Sequence, residues 1–219
     1  MKLSDYTMSV LKNFSTINSG VVLLKGNIQK TISEDKSVMA EAEFEDTFPS
    51  KFGVYDLNHF IGNVSTLNSP ELDFQDRVVT IDDGSLKLTY VACDPTLIKT
   101  PPEDKTLDVG TPDVSFELSK TSLVKLLRLA AMNNLPHLSL VGKNGKLSVE
   151  VHDRKNDTSN QAIMEIADYA GKDFIATFST ENLKMIPDDY VVDVKLPVFA
   201  RFKSKTKKLT YFNAFEVIK

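Results

Sequence analysis

The sequence has few residues of the kinds from which catalytic or metal centres are built. Its 219 residues include one cysteine, Cys93, and three histidines. A single cysteine excludes a disulfide framework and a thiolate metal cage, and it favours a reducing, cytosolic compartment. His59, His137 and His152 have no partner at metal-ligand spacing, and no Ser or Cys nucleophile motif accompanies them. We therefore expect no enzyme activity, no metal and no cofactor, and we expect packing or surface roles for the histidines.

Long apolar runs are also missing. No stretch approaches the roughly 18 consecutive apolar residues that cross a membrane. Met1-Lys2-Leu3 leads into polar residues rather than into the apolar core of a signal peptide. These features predict a soluble protein without a membrane partner. The hydrophobic fraction of 42% is ordinary for a globular protein, and 219 residues suffice for one domain or for two of about 100.

Three short patterns resemble functional sites. The sequence GKNGK at 142–146 lacks the Gly-Lys-Ser/Thr ending of a phosphate loop, so we predict a hairpin turn at Asn144-Gly145. Asp82-Asp83 and Asp188-Asp189 fall at predicted turns, where aspartate bonds to nearby main chain, and metal binding is the minor alternative. A basic run at a hairpin is expected to be a solvated turn, with a DNA contact at a rim as the alternative. It contains Arg201, Lys203, Lys205, Lys207 and Lys208.

Helix and strand patterns alternate in four rounds along the chain. Each round combines a helix pattern, with apolar residues on one face, and strands in which apolar residues alternate. The stretch 95–112 interrupts this order, because its four prolines are unfavourable in helix interiors and central strands. We therefore predict an α+β protein of two similar domains, 1–94 and 113–219, joined by a connector at 95–112. Each domain is expected to pack two helices on antiparallel sheets.

Positive charge is concentrated in the predicted helices. The net charge of the chain is −4. Six basic and three acidic residues (Asp5, Asp56 and Glu181) give the helices a net +3, which leaves −7 for the remainder. The helices are predicted at Lys2–Ile17, Asp56–Asn68, Ser119–Asn134 and Ser179–Ile186. Their basic residues are Lys2, Lys12, Lys120, Lys125, Arg128 and Lys184. If the helices share one surface, that surface attracts phosphates while the rest repels them. For any single lysine, a solvated helix face is the alternative.

Six short segments follow one another in register along nearly the whole chain. They are the Lys2-Leu3-Ser4 start, VLKNFSTINSG at 10–20, YDLNHFIG at 55–62, ACDPT at 92–96, LLR at 126–128 and NLKMIPDDY at 182–190. Together they resemble the sliding clamps of T4-like bacteriophages. None is a catalytic signature, but six matches in order are much more specific than any one.

The resemblance implies a clamp fold and a non-enzymatic DNA polymerase processivity factor. Three copies would form a homotrimeric ring around duplex DNA, with helices lining the hole and sheets outside. The ring would bind DNA without regard to sequence and tether the phage DNA polymerase. A clamp loader would place it on DNA in the cytoplasm of the infected bacterial host, and late transcription factors would be further partners. The six basic helix residues named above would face the DNA.

The predicted ring needs a subunit interface and a docking site for its partners. We expect the last strand of the first domain to pair with a strand of the second domain in the next subunit. The apolar residues of these strands are Leu86, Leu88, Tyr90, Ile163, Met164 and Ile166. We expect the polymerase tail to dock on apolar residues of the connector, which are Leu97, Ile98, Leu107 and Val109. The alternative is that these four residues only hold the connector on the sheets.

Two other classes of protein fit parts of the pattern. A phage tail or baseplate protein would also be acidic, rich in strands and without catalytic residues, but it has no reason to concentrate positive charge on helices. A hydrolase with a site assembled from dispersed residues is disfavoured, because no nucleophile or metal pattern is present.

Overall fold

The computed structural model describes residues 1–103 and 107–216, and the chain divides into two units, Met1–Thr106 and Leu107–Lys219. The division falls inside the stretch 95–112 that the sequence predicts to be a connector, and the predicted domain limits stay a prediction. In the described residues, no helix is long and apolar enough to cross a membrane.

The first unit begins with helix α1, Asp5–Ile17, in which apolar residues recur at steps of three and four. The hydroxyl of Ser4 caps the helix by accepting a hydrogen bond from the main-chain N–H of Thr7, at 3.1 Å. The buried face includes Val10, Leu11, Phe14 and Ile17. The predicted helix started at Lys2, but Lys2 precedes the cap and is not helical.

Helix α2, Leu57–Thr66, lies against α1. Asp56 caps it by accepting a hydrogen bond from the main-chain N–H of His59, at 2.9 Å. The strands in the described residues of this unit are β1 Val21–Leu23, β2 Gly26–Ile32, β3 Val38–Phe48, β4 Phe52–Val54, β5 Glu71–Phe74, β6 Val78–Asp82 and β7 Lys87–Val91. Strand β1 pairs with β4, β2 pairs with β3, and β6 lies between β5 and β7, all antiparallel.

Aromatic rings connect these strands and helices in one core. Their centroids lie 5.3–6.5 Å apart in a continuous series, which runs through Phe14, Phe44, Phe48, Phe74, Phe52, Tyr90 and Phe60. Ring pairs at this spacing contribute attraction beyond the area they bury. The series joins α1 and α2 to three of the strand groups, so the helices of the first unit are fixed on their sheets.

The second unit has helix α3, Lys120–Met132, and eight strands in its described residues. The strands are β8 Val114–Leu118, β9 His137–Lys143, β10 Lys146–His152, β11 Ala162–Asp168, β12 Phe174–Ser179, β13 Tyr190–Lys195, β14 Phe199–Ser204 and β15 Leu209–Ala214. Their antiparallel neighbours follow the orders β11-β10-β9-β12 and β8-β13-β14-β15. The predicted hairpin turn at Asn144-Gly145 is confirmed, since both residues have the positive φ that such turns require.

The prediction of a fourth helix at Ser179–Ile186 is wrong. Only a 3-10 turn forms there, at Thr180–Asn182. The next residues form neither a helix nor a strand, and two tyrosine hydroxyls bind the main chain of Ile186: Tyr211 accepts from its N–H at 3.1 Å, and Tyr190 donates to its carbonyl oxygen. The described part of the second unit therefore has one α-helix rather than two, and the alternating Leu183 and Met185 are buried as in a strand.

Candidate nucleic-acid interface and docking surfaces

Helix α3 has the most basic solvent face of the described helices. Leu123, Leu126 and Ala130 are buried, and α3 contacts β10. Lys125 and Arg128 are exposed three residues apart, so their side chains are neighbours on the surface. Lys120 is exposed at the start of the helix. Within residues 1–103 and 107–216, none of these three side chains forms an ion pair. The face therefore presents three uncompensated positive charges to solvent.

Helices α1 and α2 contribute no net charge. On α1 the exposed Lys12 is balanced by Asp5 in the first turn. Helix α2 has no Lys, Arg, Asp or Glu, and its exposed His59 places Nδ1 at 3.3 Å from Oδ2 of Asp56. The helices as observed still carry a net +3, against −7 for the remainder of the chain, but all of the excess comes from α3.

Two of the residues predicted to face DNA are not on helices. Lys2 precedes the α1 cap, and Lys184 follows the 3-10 turn in a segment without helix or strand. Both are exposed. Their assignment to helix faces is therefore corrected, whereas Lys12, Lys120, Lys125 and Arg128 lie on helices as predicted. Contact of any of these residues with DNA stays a prediction.

The basic hairpin at 201–208 is largely neutralised by carboxylates. Arg201 donates twice to Asp193 Oδ2, at 2.7 and 3.1 Å, and Lys205 donates to both oxygens of Glu117 at 2.9 Å. Lys207 lies 3.3 Å from the buried Asp188. These pairs assign the hairpin a structural role, so its charges are poorly placed to attract DNA.

Asp188 organises the turn between β14 and β15. Burial disfavours its ionisation, but hydrogen bonds from the hydroxyls of Ser204 and Thr206, from the main-chain N–H of Asp189 and from Lys207 outweigh burial and lower the pKa of Asp188 to about 2. With four donors on one side chain, the turn needs no metal ion. No group of His, Cys, Asp or Glu in the described part of the chain could hold one.

Strands β7 and β11 are at sheet edges. Among the described residues, β7 pairs only with β6 and β11 pairs only with β10. Val91 in β7 is 67% exposed and Ile163 in β11 is 58% exposed. An unpaired edge with exposed apolar side chains can pair with another chain. An open groove of about 410 Å³ runs beside β11, between Met164 and Ile166 and the start of α3 at Ser119.

The predicted interface residues differ in orientation. Leu86 precedes β7 and is 55% exposed, whereas Leu88 and Tyr90 are half-buried. The Tyr90 ring contacts Phe52 and Phe60 of its own unit. Leu88 and Tyr90 therefore support the sheet of the first unit and are only partly available to a partner. Val91 was not among the predicted contacts, although it is the most exposed apolar residue of β7. Its position in an alternating strand was the sequence feature that could have identified it.

Comparison with known proteins agrees with this geometry. A family described as DNA polymerase processivity factor matches residues 2–92. The sliding clamp of Vibrio phage KVP40 is 31% identical, over the full length of both chains. This chain belongs to the sliding-clamp family. The sliding clamp of Enterobacteria phage T4 is 28% identical, over 95% of this chain and 91% of that one.

Solved structures of PCNA and of a DNA polymerase III beta subunit have the same fold as this chain. A. fulgidus PCNA, solved with the C-terminal region of FEN-1 bound, has a TM-score of 0.70 at 15% identity, covering 97% of this chain and 95% of that one. The DNA polymerase III subunit beta of Pseudomonas aeruginosa has a TM-score of 0.67 at 10% identity, covering 98% of this chain and 63% of that one. These comparisons confirm the predicted α+β clamp fold. They give no support to a tail or baseplate protein, or to a role in late transcription.

The connector residues of the clamp separate into two pairs. Leu97 is 67% exposed and Leu107 is 42% exposed, whereas Ile98 and Val109 are 8% and 3% exposed. Ile98 packs near Gly20, so a polar residue at position 98 would disturb the first unit. Only Leu97 and Leu107 are available to a partner, and their role in docking stays a prediction.

The three histidines have different environments. His59 is exposed on α2, while His137 is buried and stacks on His152 with ring centroids 5.7 Å apart. Burial and the neighbouring His137 lower the pKa of His152, so its neutral ring bonds to the hydroxyl of Ser139 at 2.8 Å. Since Ser139 is only 1% exposed, this Ser–His contact is inaccessible to a substrate and serves packing.

Proposed function

We propose that three copies of this clamp close into a homotrimeric ring around duplex DNA and tether the phage DNA polymerase to its template. The observation that carries the proposal is the pair Lys125 and Arg128 on α3, which is exposed in an acidic protein and forms no ion pair with any carboxylate of the described residues. Such cations attract phosphates without reading bases. The clamp acts as a mobile tether and catalyses no reaction.

Enclosure explains why weak contacts suffice. A closed ring is retained on DNA by topology, so tight phosphate contacts are unnecessary and would oppose sliding. The rest of the chain carries a net −7, which discourages DNA from binding outside the ring. Because a closed ring cannot thread onto circular DNA, an ATP-driven clamp loader must open it in the cytoplasm of the infected bacterium.

Pairing of β7 with β11 of the next subunit supplies the interface. An antiparallel register that places Thr89 opposite Glu165 also places Val91 opposite Ile163 on the exposed face. The same register places Leu88 opposite Ile166, and Tyr90 opposite Met164, on the inner face. Apolar residues then meet on both faces, and two open sheet edges become paired.

The test is the mass of the clamp at micromolar concentration, followed by polymerase extension of a primed circular template. We expect three times the chain mass of 24.4 kDa, and longer extension products only when the clamp and a loader are both present. A monomer at all concentrations, or extension that is indifferent to the clamp, would contradict the proposal.

A further inference from the structure

The first part of the connector is attached to the first unit along its main chain. Ile98 and Pro101 are buried. The side-chain amide of Asn18, at the end of α1, donates to the carbonyl oxygens of Ile32 and Lys99, at 2.9 and 3.2 Å. The Lys99 ammonium donates to the carbonyl oxygen of Glu34. The segment 98–103 is therefore held in a defined path, immediately after the exposed Leu97.

Lys30 reaches this segment from within the sheet. It is in β2, and its side chain is 6% exposed. The ammonium donates to the carbonyl oxygen of Glu103 at 3.3 Å and lies 3.3 Å from Oε2 of Glu41 on β3. On the outer side, Lys51 contacts the carboxylate of Glu103 at 2.5 Å, but both of these side chains are nearly half exposed. The buried contact with Lys30 is therefore the better shielded of the two.

A buried ammonium contributes little net stability to a sheet, because it loses its hydration on burial. Its desolvation offsets most of the attraction to Glu41, and a well-packed apolar side chain of similar size often stabilises as much. What an apolar side chain cannot do is donate a directed hydrogen bond to a main-chain carbonyl. Lysine at position 30 therefore provides what an apolar residue would not, namely a hydrogen bond that fixes the position of Glu103 and with it the path of 98–103.

We propose that Lys30 is a positioning residue for partner docking, because its buried ammonium fixes the segment that presents Leu97. This inference rests on the proposed function, in that Leu97 is taken to contact the polymerase. Lys30 itself touches no partner. Removing its charge releases the segment without removing any docking side chain, so docking weakens while the ring persists.

The experiment compares full-length clamps carrying Lys30→Met, Lys51→Met, Glu41→Gln or Leu97→Ser. One readout is the rate of trypsin cleavage after Lys99, identified by fragment mass. The other is the clamp concentration that gives half-maximal polymerase extension with the loader present. A hydrogen bond from a charged donor is worth enough to shift such equilibria about tenfold. We therefore expect Lys30→Met to raise both values about tenfold.

The other three variants separate the positioning role of Lys30 from effects on stability and from loss of the docking side chain itself. Lys51→Met breaks only the exposed contact and should change both values less than Lys30→Met. Glu41→Gln keeps the Lys30 contact with Glu103 but leaves the buried ammonium without its counter-charge, so it should lower the melting temperature while changing cleavage and extension less than Lys30→Met. Leu97→Ser removes the docking side chain, so it should weaken extension and leave cleavage after Lys99 slow.

Three outcomes would overturn the inference. One is wild-type behaviour of Lys30→Met in both assays, and another is faster cleavage with unchanged polymerase response. The third is loss of the folded trimer in Lys30→Met, measured by circular dichroism and sedimentation, which would assign Lys30 to the sheet itself. Failure of the wild-type clamp to form a trimer or to stimulate polymerase would instead contradict the proposed function, whatever Lys30→Met does.

Discussion

The two units of the clamp both combine helices with runs of antiparallel strands, but they differ in their elements and in their surfaces. The described part of the first has two α-helices whose net charge is zero, while the described part of the second begins with a strand and has one α-helix with a net +3. Where a second helix was predicted, the second unit has an irregular segment whose main chain is bound by Tyr190 and Tyr211. A common fold has thus been retained while the capacity to attract phosphate has been concentrated in one unit.

The sheet edges of the two units are also complementary. The first unit has Val91 exposed on β7, and the second has Ile163 exposed on β11. A heterologous contact between different edges closes into a ring if the rotation is right, whereas two identical edges would give only a twofold dimer. In the proposed ring, this difference between the units is what would allow three copies to close.

The largest expected effect comes from charging one edge. Val91→Lys places an ammonium in the proposed contact with Ile163, where desolvation and the loss of apolar burial oppose pairing. We expect the trimer to dissociate at micromolar concentration, measured by sedimentation velocity, and polymerase stimulation to disappear with it. Because Val91 is 67% exposed in the single chain, the folded unit should keep its melting behaviour.

Ile175→Lys is the matched control for that change. Ile175 is 59% exposed on β12, at the opposite side of the sheet that contains β11. The substitution has the same chemistry on an edge that the proposed ring does not use, so the trimer should persist. Dissociation of both variants would show that surface charge, rather than the β7–β11 contact, governs assembly.

A smaller effect tests the charge difference between the helices. Replacing Lys125 and Arg128 together by Gln removes up to six positive charges from a ring of three chains. We expect loading on DNA to weaken about tenfold, and the slope of log affinity against log salt to fall by between about 2 and 5. The loss should be the same for unrelated DNA sequences, because phosphates carry no base information.

Two comparison variants sharpen this test. Lys12→Gln removes the cation of α1 and should lower the salt slope less than the double change on α3. Replacing Lys25 and Lys36, both exposed in the first unit away from its helices, removes the same net charge per chain as the α3 change. If that pair weakens loading equally, net charge rather than the α3 face attracts DNA.

The sequence predicted most of the fold because its patterns are local. Helical spacing and caps located α1, α2 and α3 to within a few residues, and Asn144-Gly145 identified its hairpin. The segment Ser179–Ile186, which was wrongly predicted to be helical, contains residues that helices tolerate. The tyrosines that hydrogen-bond to its main chain belong to β13 and β15. A local helix pattern contains no signal for Tyr211, which lies 25 residues from Ile186 in the chain.

The candidate sites were less predictable, for the same physical reason. Cations on helix faces could be found because helical geometry determines which side is exposed. In the connector, which has no periodicity, nothing in the sequence separated the buried Ile98 from the exposed Leu97. Lys30 is a charged residue of strand β2 and would be expected to be solvated, but it contacts a segment some 70 residues later in the chain and is buried.

The smallest expected effect compares one turn in each unit. Asp188 is 4% exposed in the second unit and its pKa is about 2, below the ordinary 3.8, whereas Asp35 in the β2–β3 turn is exposed. A carboxylate with a lowered folded pKa stabilises the protein above its unfolded pKa and loses that contribution as pH falls through the folded value. We expect Asp188 to contribute about 2 kcal/mol to the free energy of unfolding at pH 5, and little at pH 2.

Urea unfolding of the wild type, Asp188→Asn and Asp35→Asn, at pH 5 and pH 2 and at one protein concentration, measures this contribution. The hydroxyl of Ser33 and other donors lower the pKa of Asp35 too, but its exposure weakens the effect on stability. The difference between wild type and Asp188→Asn should therefore shrink with acid, and that for Asp35→Asn should be small throughout. Equal differences for both variants would mean that the buried turn of the second unit contributes no more than the exposed turn of the first.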